Sequence, residues 1–239
     1  MDTPGSGDYR LDLHTIEGTP SIVSTGRLPL SDDVRLAVAD AYARFGSYRE
    51  GANAAYYPAL AEVDPDLFGI AVCSTSGEIY QVGEARHPFT IMSVAKPFVM
   101  ALVCDAIGAD AVRAQIGVNA TGYAFNSGIP VEQDPDHLTN PMVNAGAIAT
   151  TSLVSGASAG EKWETILDGL SRFAGRRLEI DEEVYASASS SNHRNRSLAN
   201  LLHSYGRLYC DIDDAVDLYT RQSSLSVNAI DLAIMGSTL

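Results

Sequence analysis

The chain has 239 residues, 46% of them hydrophobic and 19% charged, with a formal net charge of −14. These proportions belong to a folded globular protein rather than a disordered one, and the length suits one large domain or two lobes sharing a core. The acidic excess argues against nucleic acid or an anionic membrane as a partner.

Residues 1–25 are mixed and punctuated by Gly, Ser and Pro, and read as an N-terminal arm; residues 26–239 read as one domain. The start of the chain, Met1 to Asp8, has no basic-then-apolar signal pattern. A first helix is predicted from Ser31 as N-cap, with Asp32 and Asp33 in its first turn and Val34, Ala37, Val38, Ala41 and Phe45 inward. Gly46 or Gly51 ends it. Ala54–Leu60 is a connector carrying Tyr56 and Tyr57, and one of these tyrosines is a candidate pocket residue. Leu67–Ser74 and Gly77–Val82 alternate as strands and form a hairpin through Thr75-Ser76-Gly77.

An apolar helix follows from Ser93, then a second helix over Ala109–Ile116. Gly117–Thr139 reads as a long loop, which in a compact domain points to function. Asn140 as N-cap and Pro141 at the first helical position open another helix, and Ala145, Gly146, Ala147 and Ala149 predict a close neighbour. Gly160–Ala174 is amphipathic, with Trp163, Ile166, Leu167 and Leu170 along one stripe. Asp181–Tyr185 is a short helical turn and Ala186–Asn192 a surface loop. Helices are expected over Arg194–Tyr205, Ile212–Ser223 and Ser226–Met235, the last capped by Gly236. A two-stranded hairpin is marginal alone, and no strong strand pattern follows Val82, so strands completing the sheet are expected to lie outside this chain.

No apolar run approaches the roughly 20 residues of a membrane-spanning helix. Cys73, Cys104 and Cys210 are odd in number and scattered, as in the reduced thiols of a cytoplasmic protein. The five histidines, His14, His87, His137, His193 and His203, show no metal-ligand spacing, so no metal site is expected, and no Gly-rich phosphate loop is present.

The chemistry concentrates at Ser93 and Lys96, an S-x-x-K pair where an extended segment enters the apolar helix. Residues at i and i+3 of a helix share a face, with Cβ atoms about 5–6 Å apart. A serine hydroxyl needs a base before it acts as a nucleophile. Lysine, with an ordinary pKa of about 10.4, serves as that base only when burial depresses it. Val94, Phe98, Val99 and Met100 supply apolar neighbours, and the helix N-terminus disfavours an ammonium in the same way. The only other lysine is Lys162; the remaining basic residues, histidines aside, are arginines, which cannot lose a proton. The competing account is a serine cap beside a lysine reaching to solvent. Asn144 lies in the first turn of a helix among small apolar neighbours, Asn195 and Tyr219 each fall on an apolar helical stripe, and all three need a buried partner. Helix–helix hydrogen bonding explains any one of them; together with the Ser–Lys pair they would line a pocket for a small polar amide.

Several blocks together resemble the serine-dependent glutaminases: Ala55–Ala61, Asp64–Ile70, Ser93/Lys96, Gly122–Ser127, Asn140–Ile148, Arg194-Asn195-Arg196 and Asp217–Gln222, in order from about Ser24 to Leu239. The resemblance implies an α+β, β-lactamase-like fold, with an antiparallel sheet flanked by helices plus a helical lobe. It implies hydrolysis of L-glutamine to glutamate and ammonia without metal or cofactor, in a homo-oligomeric protein. Ser93 would be the nucleophile, Lys96 the base and Tyr56 an active-site tyrosine. Ser93, Asn144, Asn195 and Tyr219 would bind substrate. Two residues depart from the family pattern: Ala188 stands where a glutamate binds the substrate's α-amino group, and Met92 where glutamine precedes the nucleophile. The competing readings are an amidase with another substrate, or an impaired homologue that binds a small amide.

Overall fold

A computed structural model describes residues 29–239; the N-terminal arm expected over residues 1–25 lies outside that range. Helix α1 spans Ser31–Phe45. Its N-cap is Leu30, not Ser31, whose hydroxyl instead reaches the Glu78 carboxylate. Of the residues expected inward, only Val38 is fully buried, and Phe45 is 57% exposed, because α1 lies on the hairpin and not on the main core. After the single turn α2 (Pro58–Ala61), strands β1 (Gly69–Cys73) and β2 (Ile79–Gly83) pair antiparallel with Gly69 opposite Gly83 and Cys73 opposite Ile79. The connecting turn holds because Gly77 adopts a φ of +87°, which lacks a Cβ penalty only in glycine, and its N–H donates to the Ser74 carbonyl. This sheet has two strands among the described residues.

A second small sheet escaped sequence detection because its strands are only two or three residues long. β3 (Phe89–Thr90), β4 (Glu179–Ile180) and β5 (Leu225–Val227) pair antiparallel with β5 in the centre. Ser226 therefore belongs to a strand, and the final helix α11 begins later, at Ala229, behind an Asn228–Asp231 capping box. It runs to Ser237, so Gly236 lies inside it and does not cap it. β5 also fixes the approach to Ser93. The Ile91 N–H donates to the Leu225 carbonyl oxygen at 2.8 Å, and a single 3-10 turn, Met92–Val94, leads into α3 (Ala95–Ile107).

The core is helical. α3, α6 (Asn144–Ser152), α7 (Ala159–Ala174), α9 (His193–Ser204) and α10 (Ile212–Ser223) share one apolar cluster in which Ile148, Ile166, Leu170, Leu198, Leu202 and Leu218 are almost wholly inaccessible. α4 (Ala109–Ile116) follows the predicted bounds. The following segment is not all loop, since Ile129–Gln133 forms α5. Asn140 caps a turn rather than a helix: its Oδ1 accepts from the Met142 N–H, and α6 starts four residues later behind Val143. The small residues of α6 do mark a close approach, because a Cβ on Gly146 would collide with the Asn140 carbonyl. Ala186–Asn192, expected as loop, mostly continues the helix α8 (Glu182–Ser191), which Asp181 caps through the Val184 N–H. Its run of Ala and Ser has little hydrophobic signal, and packing against α10 and α2 supplies what propensity does not. The chain is an α+β structure with its helical lobe set against the strand-to-helix turn at Ser93.

Candidate active site

Ser93 sits at a backbone corner. Met92, the residue before it, has a φ of +49°, a left-handed conformation unusual for a side chain of that size. The β3–β5 pairing ahead of the corner and α3 behind it hold this geometry. The result is an exposed Ser93 in the turn at the N-terminal end of a buried helix.

One turn on, Lys96 is 5% exposed. Its Nζ donates to the Met142 carbonyl oxygen at 3.1 Å and to Asn144 Oδ1 at 2.9 Å, and the Phe125 ring lies 5.9 Å away. Burial lowers the Lys96 pKa to about 8. Both acceptors are uncharged oxygens, so no carboxylate holds the amine in its charged form. No Ser93–Lys96 hydrogen bond is formed among the described residues, so the two groups share a cleft without yet touching.

Asn144 is the hub. Its Oδ1 accepts from Lys96 and, at 3.3 Å, from the Tyr219 hydroxyl, while its Nδ2 donates to Asn195 Oδ1 at 3.0 Å. The Asn144 N–H donates to the Phe125 carbonyl, which ties the start of α6 to the loop before α5. Tyr219, 5% exposed on α10, has its phenol pushed well above its ordinary pKa, chiefly by burial and next by Tyr57; the Ser93 hydroxyl beside it acts in the opposite direction. Tyr219 therefore stays a neutral donor. Four helices, α3, α6, α9 and α10, thus deliver one polar network, each residue satisfying the next.

Ser93, Lys96, Tyr56, Asn144, Asn195 and Tyr219 all line one cleft of about 650 Å³. Tyr56 is 63% exposed at its mouth, with its ring 5.1 Å from that of Tyr57 in an edge-on arrangement. Tyr57, Phe125, Asn126, Met142 and Arg194 line it as well. Of these, Tyr57 carried a sequence signal as half of the Tyr56–Tyr57 pair and Arg194 stands at the start of an expected helix, whereas Phe125, Asn126 and Met142 come from loops whose course the sequence does not reveal. Ala188 is 2% exposed and is not in the cleft wall, to which α8 contributes Ser191, one turn further on. No cluster of His, Cys, Asp or Glu able to hold a metal ion occurs among the described residues. No single helix among them is long and apolar enough to cross a membrane.

The profile of the glutaminase family matches residues 51–239. The chain belongs to the glutaminase family. It is 55% identical over 222 residues to glutaminase 2 of Yersinia pestis, covering 93% of this chain and 65% of that protein. It is 46% identical over 198 residues to the glutaminase of Colwellia psychrerythraea, covering 83% and 64%. Among solved structures, the probable glutaminase YbaS superposes with a TM-score of 0.85 at 38% identity, over 88% of this chain and 68% of that one. A Bacillus glutaminase studied in 4.3 M NaCl gives 0.76 at 28% identity, over 85% and 65%. The chain spans just under two thirds of the length of these curated relatives. The glutaminase neighbours share its β-lactamase-like fold.

Proposed function

We propose that this glutaminase-family chain hydrolyses the side-chain amide of L-glutamine to L-glutamate and ammonia through an acyl-enzyme on Ser93. The observation that carries this reading is the buried Lys96 amine, its pKa lowered to about 8 and its hydrogen-bond partners uncharged oxygens, in the same cleft as an exposed serine at a helix start. In the first step Ser93 Oγ bonds to the amide carbon and its proton passes to Lys96. The oxygen that gains charge faces the N-terminal turn of α3, where the Ser93 N–H is the candidate donor. The C–N bond then breaks, the nitrogen takes the proton from Lys96 and ammonia leaves. Water adds to the glutamyl ester, Lys96 accepts its proton, and the Ser93–carbon bond breaks to return the hydroxyl.

Asn144, Asn195 and Tyr219 are assigned to hold the substrate, and Tyr56, at the mouth, to cover it. We also propose a cytoplasmic, homo-oligomeric protein. Its three unbridged cysteines support the first, and the apolar residues left open on α1 and β2, such as Leu36, Phe45 and Ile79, support the second. Ammonia release from L-glutamine by wild type and by Ser93→Ala tests the reaction. Release by the wild type alone is the expected result; equal release from both proteins would remove Ser93 as nucleophile.

A further inference from the structure

Arg194 lies in the wall of the Ser93 cleft, one residue before Asn195 and in the first turn of α9. Its Nε donates to the Asn126 carbonyl oxygen at 2.8 Å, and Asn126 lines the same cleft. That bond fixes one edge of the guanidinium and leaves both terminal nitrogens over. Six other arginines, including Arg176 and Arg221, are held by carboxylates within ion-pair distance. Arg194 has no such partner among the described residues. A guanidinium fork of this kind matches a carboxylate with two parallel hydrogen bonds. The partial positive charge at the start of α9 adds to the attraction.

The other charge in the cleft is Lys96, at the amide end. The remaining polar groups of the lining are neutral, among them Asn144, Asn192, Asn195 and Tyr219, and α8 contributes the hydroxyl of Ser191. A ligand ammonium placed here meets two like charges and is offered uncharged acceptors, whereas a ligand carboxylate meets a fork shaped for it.

We propose that Arg194 anchors the substrate's carboxylate, and that the cleft takes ω-amides of short carboxylic acids, the glutaramate class, without requiring an α-ammonium group. The inference rests on Ser93 being the group that attacks the amide. Calorimetric titration of the 239-residue chain with three ligands tests it: glutaramate (amide and carboxylate), L-glutamine (both plus the ammonium) and pentanamide (amide only). Glutaramate is expected to bind within about threefold of L-glutamine. Pentanamide is expected to bind about tenfold or more weakly, the loss set by a charge-assisted hydrogen bond. Arg194→Gln should erase the advantage of glutaramate over pentanamide, and Arg194→Lys should keep part of it, with thermal melts confirming folded variants. L-Glutamine binding more than about tenfold tighter than glutaramate overturns the inference, since that is the scale of one charged contact. So does an Arg194→Gln variant that weakens glutaramate and pentanamide alike, and so does no binding of any of the three. Labelling of Ser93 by an electrophilic glutamine analogue is followed separately. A labelled Ser93 in a protein that demands the ammonium defeats this inference alone, and an unlabelled Ser93 with carboxylate binding through Arg194 defeats the reaction alone.

Discussion

Lys96 should make the reactivity of Ser93 climb steeply through neutral pH. Its pKa of about 8, set by burial, leaves about one amine in ten neutral at pH 7 and about one in a hundred at pH 6. Had the group kept its ordinary value of 10.5, the neutral fraction at pH 7 would be roughly 300-fold smaller. The initial rate of Ser93 labelling by an electrophilic glutamine analogue, read by mass spectrometry between pH 6 and 10, should therefore rise about tenfold per unit at the acid end. It should level off above about 8. Lys96→Arg should not rise over this range, because a guanidinium keeps its proton. Stability gives an independent reading. The folded pKa lies below the unfolded one, so between about 8 and 10.5 the unfolded chain binds more protons and stability rises with pH. Wild type should gain on Lys96→Met across that window and not below it. A labelling profile that is flat from pH 6 to 9, or that bends only near 10.5, refutes the assignment of Lys96 as base.

Asn144→Asp sets a carboxylate where Oδ1 now stands 2.9 Å from Nζ, which favours the ammonium. The acid limb of the same profile should move up by about one unit or more; an unmoved limb would detach Asn144 from the base. Gly146→Ala should cost about 1–3 kcal/mol in denaturant unfolding, since the new methyl meets the Asn140 backbone. Gly169→Ala, which meets only the movable end of Leu102, should cost less, and the reverse order would contradict the packing described for α6. Ala188→Glu puts a carboxylate one helical turn from Ser191 at a site 2% exposed. Calorimetry should show L-glutamine gaining about tenfold on glutaramate, with a lowered melting temperature from the buried charge; no change in preference would place Ala188 away from the bound ligand.

Much of the site was legible because it repeats along the helices. Ser93 and Lys96 are three apart, and Asn195 and Tyr219 each interrupt a stripe of apolar residues, so their inward direction follows from the helical period alone. The bounds of α4 and α10 were readable for the same reason: strong periodicity between clear breakers. β3, β4 and β5 were not, because two or three residues carry no period and their pairing partners lie far apart in sequence, Thr90 opposite Ser226 and Glu179 opposite Ser226. Asn140 was read as a helix cap when its side chain closes a turn four residues earlier, a choice that local sequence leaves open.

What the sequence determined by itself is which chemical groups are available and which face each helix turns to the core: an amine among apolar side chains, a serine at a helix start, three polar residues aimed inward. Only the tertiary structure decided that Asn144 joins Lys96, Asn195 and Tyr219 in a single network, and that Met142, Phe125 and Arg194 share the cleft. The physical reason is that periodicity fixes a direction around one helix axis, while the distance between two helices, and the path of the loops between them, is set by packing across the whole core.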